Sequence, residues 1–365
     1  MTRVWGRTMW TAITEESRSW SSSNKWGARC IATILALASV WTAACARNRA
    51  TTDPPMGERL FPIKTWTRTD CSATPWAVAQ HEGFLAQERV AIQWTNEIQP
   101  ALQIPSILRG DNDVAVLRPD TLAVAKAAGA RISAVAEADI DPTDPVVDAR
   151  FRHLWWFVHP GKHPDVRRFA DLAGVSATIR VATLTSNIGA HLETKRLAER
   201  YGIPKSKIEW VTMPGLQAVQ ALKQGEIDVS EIDSAFFKAM ADAGARKIAD
   251  SSETNLGAAG GITYYVFRDE FIRQHAERVA AFARAMTRAQ RWIDAHPDDA
   301  IRVTEKTIGV SAPGNHYYST SLRVDDSYPV PWLAELEAAH VIAHGTITVS
   351  DLIAHDIEKM NMRFE

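Results

Sequence analysis

The chain has 365 residues, of which 46% are hydrophobic and 23% charged, enough length and apolar content for two globular lobes. A formal net charge of −2 and a sequence pI near 6.6 exclude the basic footprint of a nucleic-acid binder.

The first predicted element is a leader over residues 1–44. Lys25 and Arg29 precede CIATILALASVW, an apolar run of 12 residues, and Ala43 and Ala44 lead into Cys45. Basic, apolar, small is the order of a secretory signal. The run falls short of the ~20 apolar residues that span a bilayer. The TAAC ending resembles a bacterial lipobox, with Thr42 where leucine is usual, so Cys45 is the expected lipidation site. Residues 45–58, CARNRATTDPPMGE, read as a flexible tether. Beyond Cys45 the only cysteine is Cys71, which excludes an intrachain disulfide in a chain cut and lipidated at Cys45. No histidine or acidic pattern close to Cys71 in sequence marks it as a nucleophile, and it reads as a bystander.

After the tether, strands are predicted at Ile63–Thr67, Val90–Trp94, Val114–Leu117, Ile132–Ala136, Leu154–Val158, Ile179–Leu184, Ile208–Met213 and Ile227–Ile232. Helical patterns between most of them stop at Gly83, Gly110, Gly129, Gly202, Gly225 and Gly244, the glycine stop signal of helix C-termini. Alternation of this kind predicts an α/β fold with mostly parallel sheets. Two stretches also share a frame. Gly110 precedes Asp113 by three residues and Asp113 precedes Gly129 by sixteen; Gly225, Asp228 and Gly244 repeat both intervals, and Ala-Arg follows each terminal glycine. One helix–strand–helix unit used twice predicts two lobes of similar plan, facing each other across a cleft that closes by hinge motion.

Four stretches, in order over about residues 60–310, resemble the periplasmic substrate-binding proteins of nitrate/sulfonate/taurine-type ABC transporters. TPWAVAQHEGFLAQERVAIQW (Thr74–Trp94) is similar to that family's first helix and second strand. LRGDNDVAVLRPDTL (Leu108–Leu122) is similar to its Gly-x-x-Asp-Val strand. RRFADLAGVSATIRVAT (Arg167–Thr183) resembles the start of its second lobe, and AFARAMTRAQRWIDAHPDDA (Ala281–Ala300) its long C-terminal helix. The resemblance implies a two-lobed, type II periplasmic-binding-protein-like fold with a hinge. It divides the chain into lobe one at 59–150, lobe two at 151–258, and a return to lobe one with C-terminal helices at 259–365. Three departures stand out: Pro105 inside a helix, Arg118 where a small residue is common, and SEIDSAF in place of Trp-Glu-Pro.

Candidate ligand residues lie where strands end and helices begin, because free N–H groups and the helix dipole favour an anion there. In lobe two these are Thr185, Ser186 and Asn187, residue types equally suited to helix capping. In lobe one they are Ser72, Thr74 and Trp76, with Trp76 either a cleft wall or core. Arg118 and Asp233 each lie five residues after the aspartate of their repeat and carry opposite charge. Arg118 suits a sulfonate or carboxylate and Asp233 an ammonium group, unless they form structural salt bridges instead. Asp120 and Thr121 follow Arg118 as helix caps or ligand contacts. His153, His159 and His163 lack regular spacing, so no metal site is expected, and no cofactor motif is present.

The expected function is therefore that of an extracytoplasmic solute-binding component of an ABC importer. It is not an enzyme, and it captures a small anionic or zwitterionic solute of the sulfonate or taurine class. The expected partners are that solute, a permease and its ATPase, with the membrane touched only through a lipid anchor. The chain is expected to be a periplasmic monomer. Trp76, Trp155 and Trp156 keep open an aromatic or thiamine-pyrimidine-precursor solute, and an enzyme on the same scaffold is the other alternative.

Overall fold

A computed structural model describes residues 59–144, 148–184 and 191–363. The leader, the tether, Cys45 and the Thr185–Asn187 stretch lie outside the described residues. Lobe-one strands come first: β1 (Phe61–Trp66), β2 (Val90–Thr95), β3 (Val114–Leu117), β4 (Ile132–Glu137) and the short β5 (Asp139–Ile140). Then follow β6 (Leu154–Val158), β7 (Ile179–Thr183), β8 (Ile208–Thr212), β9 (Val229–Asp233) and β10 (Arg246–Asp250). The chain returns through β11 (Tyr264–Arg268) to lobe one and adds β12 (Tyr317–Tyr318).

The eight strands expected from sequence all form, with ends displaced by no more than two residues. Lobe two is one five-stranded sheet in the order β10-β6-β9-β7-β8; lobe one holds β3-β11-β4, the pair β1-β2, and β12-β5. The expectation of mostly parallel sheets needs correction. β7 is parallel to β8 and β9, and β1 to β2, but β6 is antiparallel to both its neighbours and so is β11. β6 and β11 are the strands the chain reaches by crossing from the other lobe. No β-helix-β crossover feeds them, so nothing holds them to the parallel direction.

β11 explains why its own sequence carries no alternation. Tyr264 and Val266 pack into one apolar cluster with Leu117 and Trp332, while Tyr265 and Phe267 pack into another with Trp76 and Phe282. A strand buried on both faces reads as a continuous apolar run rather than a period of two. β6 is built the same way, with Trp156 and Val158 on one side and Trp155 and Phe157 on the other.

The repeated Gly-x-x-Asp frame has a structural cause that is the same in both lobes. Asp113 donates its backbone N–H to Lys64 O (2.9 Å) and accepts the Lys64 N–H on Oδ2 (2.8 Å), which stitches β3 to β1. Asp228 does the same to Arg180 of β7, at 2.9 and 2.8 Å. Gly110 and Gly225 turn the chain into each stitch with φ of +79° and +75°, values glycine adopts without the cost of a Cβ. Pro105 leaves the helix Gln103–Arg109 intact because it falls in the first turn, where no intrahelical N–H bond is lost.

The helix Ala276–Ala295 shows why lobe one packs tightly. Val279, Phe282, Met286, Ala289 and Ile293 recur every three or four residues along its buried stripe. That stripe packs against the helix Thr74–His81. The two crossing segments run side by side: Ala138 N–H donates to Thr263 O (2.8 Å), Thr263 N–H to Asp139 O (3.0 Å) and Asp141 N–H to Ala258 O (3.2 Å).

Candidate functional site

The end of β1 and the start of the helix Thr74–His81 form the lobe-one rim. Asp70 Oδ1 accepts from Ser72 N (2.9 Å) and Ser72 Oγ (2.5 Å), closing a 3₁₀ turn over Cys71–Ala73. Thr74 is buried and accepts a bond from Thr304 Oγ1 at 2.9 Å, while the helix N-cap is Ala73. Trp76 is both core and wall. It packs edge-on against Tyr265, with ring centroids 5.6 Å apart, and it also lines a cavity of about 170 Å³. Trp66, Arg68, Ser72, Asp139, Tyr265 and Tyr318 are among the other residues around that cavity. Larger hollows, such as one of about 630 Å³ beside Glu337 and His344, lie away from these strand ends.

Arg118 caps the helix Pro119–Ala127 in extended backbone, but its side chain turns to the second lobe. Nη2 bonds Glu193 Oε2 at 3.0 Å and Gly260 O at 3.3 Å, Nη1 lies 2.8 Å from His153 Nε2, and Cζ sits 4.4 Å from the Trp332 ring centroid. Its ion pair is thus with Glu193 and not with Asp233. Glu193 is fully buried on the helix Leu192–Arg200, beside Thr194, whose hydroxyl accepts from Trp156 Nε1 (2.6 Å) and donates to Glu231. Burial pushes the Glu193 and Glu231 carboxyls up and the Glu231 carboxylate raises Glu193 further, while Arg118 pulls both down and the Thr194 hydroxyl pulls Glu231 down. One guanidinium cannot neutralise two buried carboxylates, so the pair retains protons well above the ordinary carboxylate range.

Asp233 ends β9 opposite Leu154, and its Oδ1 accepts from Ala235 N at 3.0 Å. Burial raises its pKa, and the charges of His316 and Arg118 oppose that rise. Asp120 is buried with Thr121 Oγ1 3.5 Å from its Oδ1, and burial raises its carboxyl as well. Sequence reasoning therefore brought Ser72 and Trp76 to the cavity. It put Arg118 and Asp233 at strand ends within electrostatic reach of one another, with other partners.

Four groups were missed. Arg68 fell between the predicted strand Ile63–Thr67 and the rim candidates, and Tyr265 and Tyr318 in a region given only as a return to lobe one. His316 contradicts the view of Cys71 as isolated: Cys71 Sγ lies 3.6 Å from His316 Nε2 and 3.6 Å from Ser234 Oγ. These pairs are 245 and 163 residues apart, so no local pattern could have revealed them. Burial lowers the His316 pKa, but the Cys71 sulfur and the carboxylates of Asp139 and Asp233 more than offset it, raising it to about 10. Ser234 belongs to the lobe-two end of β9, so the lobes touch here. Gly314 makes the touch feasible: a Cβ on it would stand 2.6 Å from Ser234 O and 3.0 Å from Cys71 Sγ. Among the described residues no cluster of histidine, cysteine and carboxylates has the makings of a metal site, and no helix is long and apolar enough to cross a membrane.

This architecture is similar to that of several solved proteins, two of them periplasmic. The aliphatic sulphonate binding protein SsuA from Escherichia coli matches with a TM-score of 0.62 at 14% identity, over 81% of this chain and 92% of that one. The nitrate-binding protein NrtA from Synechocystis PCC 6803 matches with a TM-score of 0.64 at 12% identity, over 84% and 89%. The desulfurization enzyme DSZB matches with a TM-score of 0.57 at 11% identity, over 83% and 99%. At such identities the likeness shows a shared two-lobed periplasmic-binding-protein fold, one that has served enzymes too. A comparison with curated proteins finds no sequence match. The family model described as NMT1/THI5 like matches residues 71–300, well over half of the sequence, and the chain belongs to that family.

Proposed function

We propose that the protein is the extracytoplasmic solute-binding component of an ABC importer and captures a small anionic or zwitterionic solute between its lobes. The observation that carries this reading is the lobe seam. Residues of both lobes meet there, Cys71 with Ser234 and Arg118 with Glu193, and Ser72, the neighbour of Cys71, lines a lobe-one cavity of about 170 Å³. A cavity of that size suits a compact solute such as an aminosulfonate better than an aromatic one. Trp155 and Trp156 are committed to the lobe-two core. Thr185, Ser186 and Asn187 would supply the lobe-two donors. Arg118, bonded to Glu193, would join the lobes around the solute. Export and lipidation at Cys45, with delivery to a permease and its ATPase as a monomer, complete the proposal.

Thermal-shift screening with taurine, alkanesulfonates, nitrate and thiamine-pyrimidine precursors tests it, followed by small-angle scattering of the best hit. Stabilisation together with a smaller radius of gyration is expected. A protein stabilised by none of them, with an unchanged radius, refutes the proposal.

A second reading, an enzyme on this scaffold, has one observation in its favour: the thiol of Cys71 and the imidazole of His316 lie within contact of each other at the seam. Such a pair can generate a thiolate. Alkylation by iodoacetamide measures it. A rate that stays high at pH 6 and falls in His316→Ala would support an enzyme; an inert thiol would leave Cys71 as packing between the lobes.

A further inference from the structure

Arg68 follows the end of β1, and its guanidinium is held rigidly. Trp66 and Trp76 both stack on it, with Cζ 4.4 Å from each ring centroid. Nη1 donates to Thr65 Oγ1 (3.2 Å) and Trp66 O (2.8 Å). Nη2 is buried without a partner, in a residue only 7% exposed. The hydroxyls of Tyr265 and Tyr318 are likewise buried without partners. All three residues line the same cavity of about 170 Å³. A buried polar group left unpaired costs about 1–3 kcal/mol, so three around one hollow favour a guest that accepts from all of them.

Asp139 lines the cavity too, with Oδ2 accepting from Thr263 Oγ1 at 2.9 Å. The lining therefore carries both signs of charge. Burial lowers the Arg68 pKa to about 9, which keeps it charged at neutral pH, and burial also pushes the two tyrosines up, which keeps their hydroxyls as donors. A planar guanidinium fixed by aromatic stacking presents its remaining donors only along its edge, the geometry that matches an oxyanion. The volume is several times the ~30 Å³ share of one water molecule and leaves little room beyond a head group and a short carbon chain.

Resting on the solute-binding reading, we propose that Arg68, Tyr265 and Tyr318 form an anion subsite on the lobe-one side of the binding site, in the cavity they line. They take the sulfonate or carboxylate head of a compact zwitterion, whose ammonium group is held by Asp139. Arg118, tied to Glu193, holds the lobes together instead of gripping this head.

Taurine and ethanesulfonate share a head group and differ in the amine, so calorimetric titration with both separates the two ends. Wild type is expected to bind both, with taurine at least about tenfold tighter, a difference of ~1.4 kcal/mol. Arg68→Gln is expected to weaken both by about tenfold or more, and Tyr318→Phe to weaken both by a smaller factor, as loss of hydrogen bonds to a charged group predicts. Asp139→Asn is expected to remove only the taurine advantage. The tyrosine and asparagine variants, checked by circular dichroism, keep the test decisive if Arg68→Gln fails to fold.

The inference is overturned if wild type binds taurine and folded Tyr318→Phe and Asp139→Asn bind both probes as wild type does. A crystal with the taurine sulfur remote from Arg68 overturns it equally. If wild type binds neither probe, the inference falls; a different solute that still compacts the protein then leaves the solute-binding reading intact.

Discussion

The two Gly-x-x-Asp repeats build the same joint and put it to different use. In each, a glycine in the left-handed region leads to an aspartate that both donates to and accepts from one residue of the neighbouring strand. The surroundings then diverge. Asp228 makes close contacts with Lys162 Nζ (2.8 Å) and His163 Nε2 (2.7 Å), whereas the nearest cations to Asp113, Lys64 and Arg268, stand 3.9 Å away. Burial accordingly wins at Asp113 and raises its pKa, while at Asp228 the lysine and histidine overcome burial and lower it. Five residues on, the first repeat ends in an arginine locked to the other lobe and the second in an aspartate bonded to its own turn. The duplicated frame is scaffold, and the chemistry resides in what each copy adds at its end.

That contrast can be broken most forcefully at its ends. Arg118→Ala leaves the buried Glu193 carboxyl, the Gly260 carbonyl and the Trp332 ring without their partner and is expected to cost about 3 kcal/mol in urea unfolding, whereas Asp233→Ala loses one local bond and about 1 kcal/mol. Equal costs would refute the difference in role. Asp228→Ala follows, also at about 3 kcal/mol, with Asp113→Ala smaller at about 2, because both orphan a strand N–H but only the first loses close ion partners. Gly110→Ala and Gly225→Ala are expected to cost about 1 kcal/mol each by the same assay, since both φ values are left-handed; a neutral result at either would break the equivalence of the frames.

The subtlest contrast is in pH. Asp113 has a folded pKa above its unfolded one, so it contributes stability below the unfolded pKa that is lost as pH rises toward the folded value. Asp228 has the opposite shift, and its contribution is present above the unfolded pKa and lost as pH falls through the folded one. Between pH 3 and 6, Asp113→Asn should therefore make stability climb more with pH than in wild type, and Asp228→Asn less. Slopes changing in the same direction would contradict the two surroundings.

Much of the fold was legible because half-buried strands and glycine-stopped helices leave local periodicity. β11 was missed although, like β6, it fills two cores at once; such a strand shows no polar alternation and is legible only as a short apolar run, as β6 was. The direction of β6 and β11 escaped because strand polarity depends on which lobe the chain arrives from. The candidate site was half legible. Strand-end position pointed to Ser72, Trp76, Arg118 and Asp233. The partners that decide what those residues do come from segments far away in sequence: Glu193 for Arg118, and His316 beside Cys71. Arg68 was hidden for a different reason, since an arginine after a strand ordinarily reaches solvent and only the pair of tryptophans around it turns it inward.

Gly314 sets the clearance of the whole jaw. Where Ser234 and Cys71 approach it, the spacing is that of a bare hydrogen, and one additional methyl would act as a wedge between the halves. A chain that carried alanine there would rest ajar, and any captured molecule would sit behind a door that no longer latches.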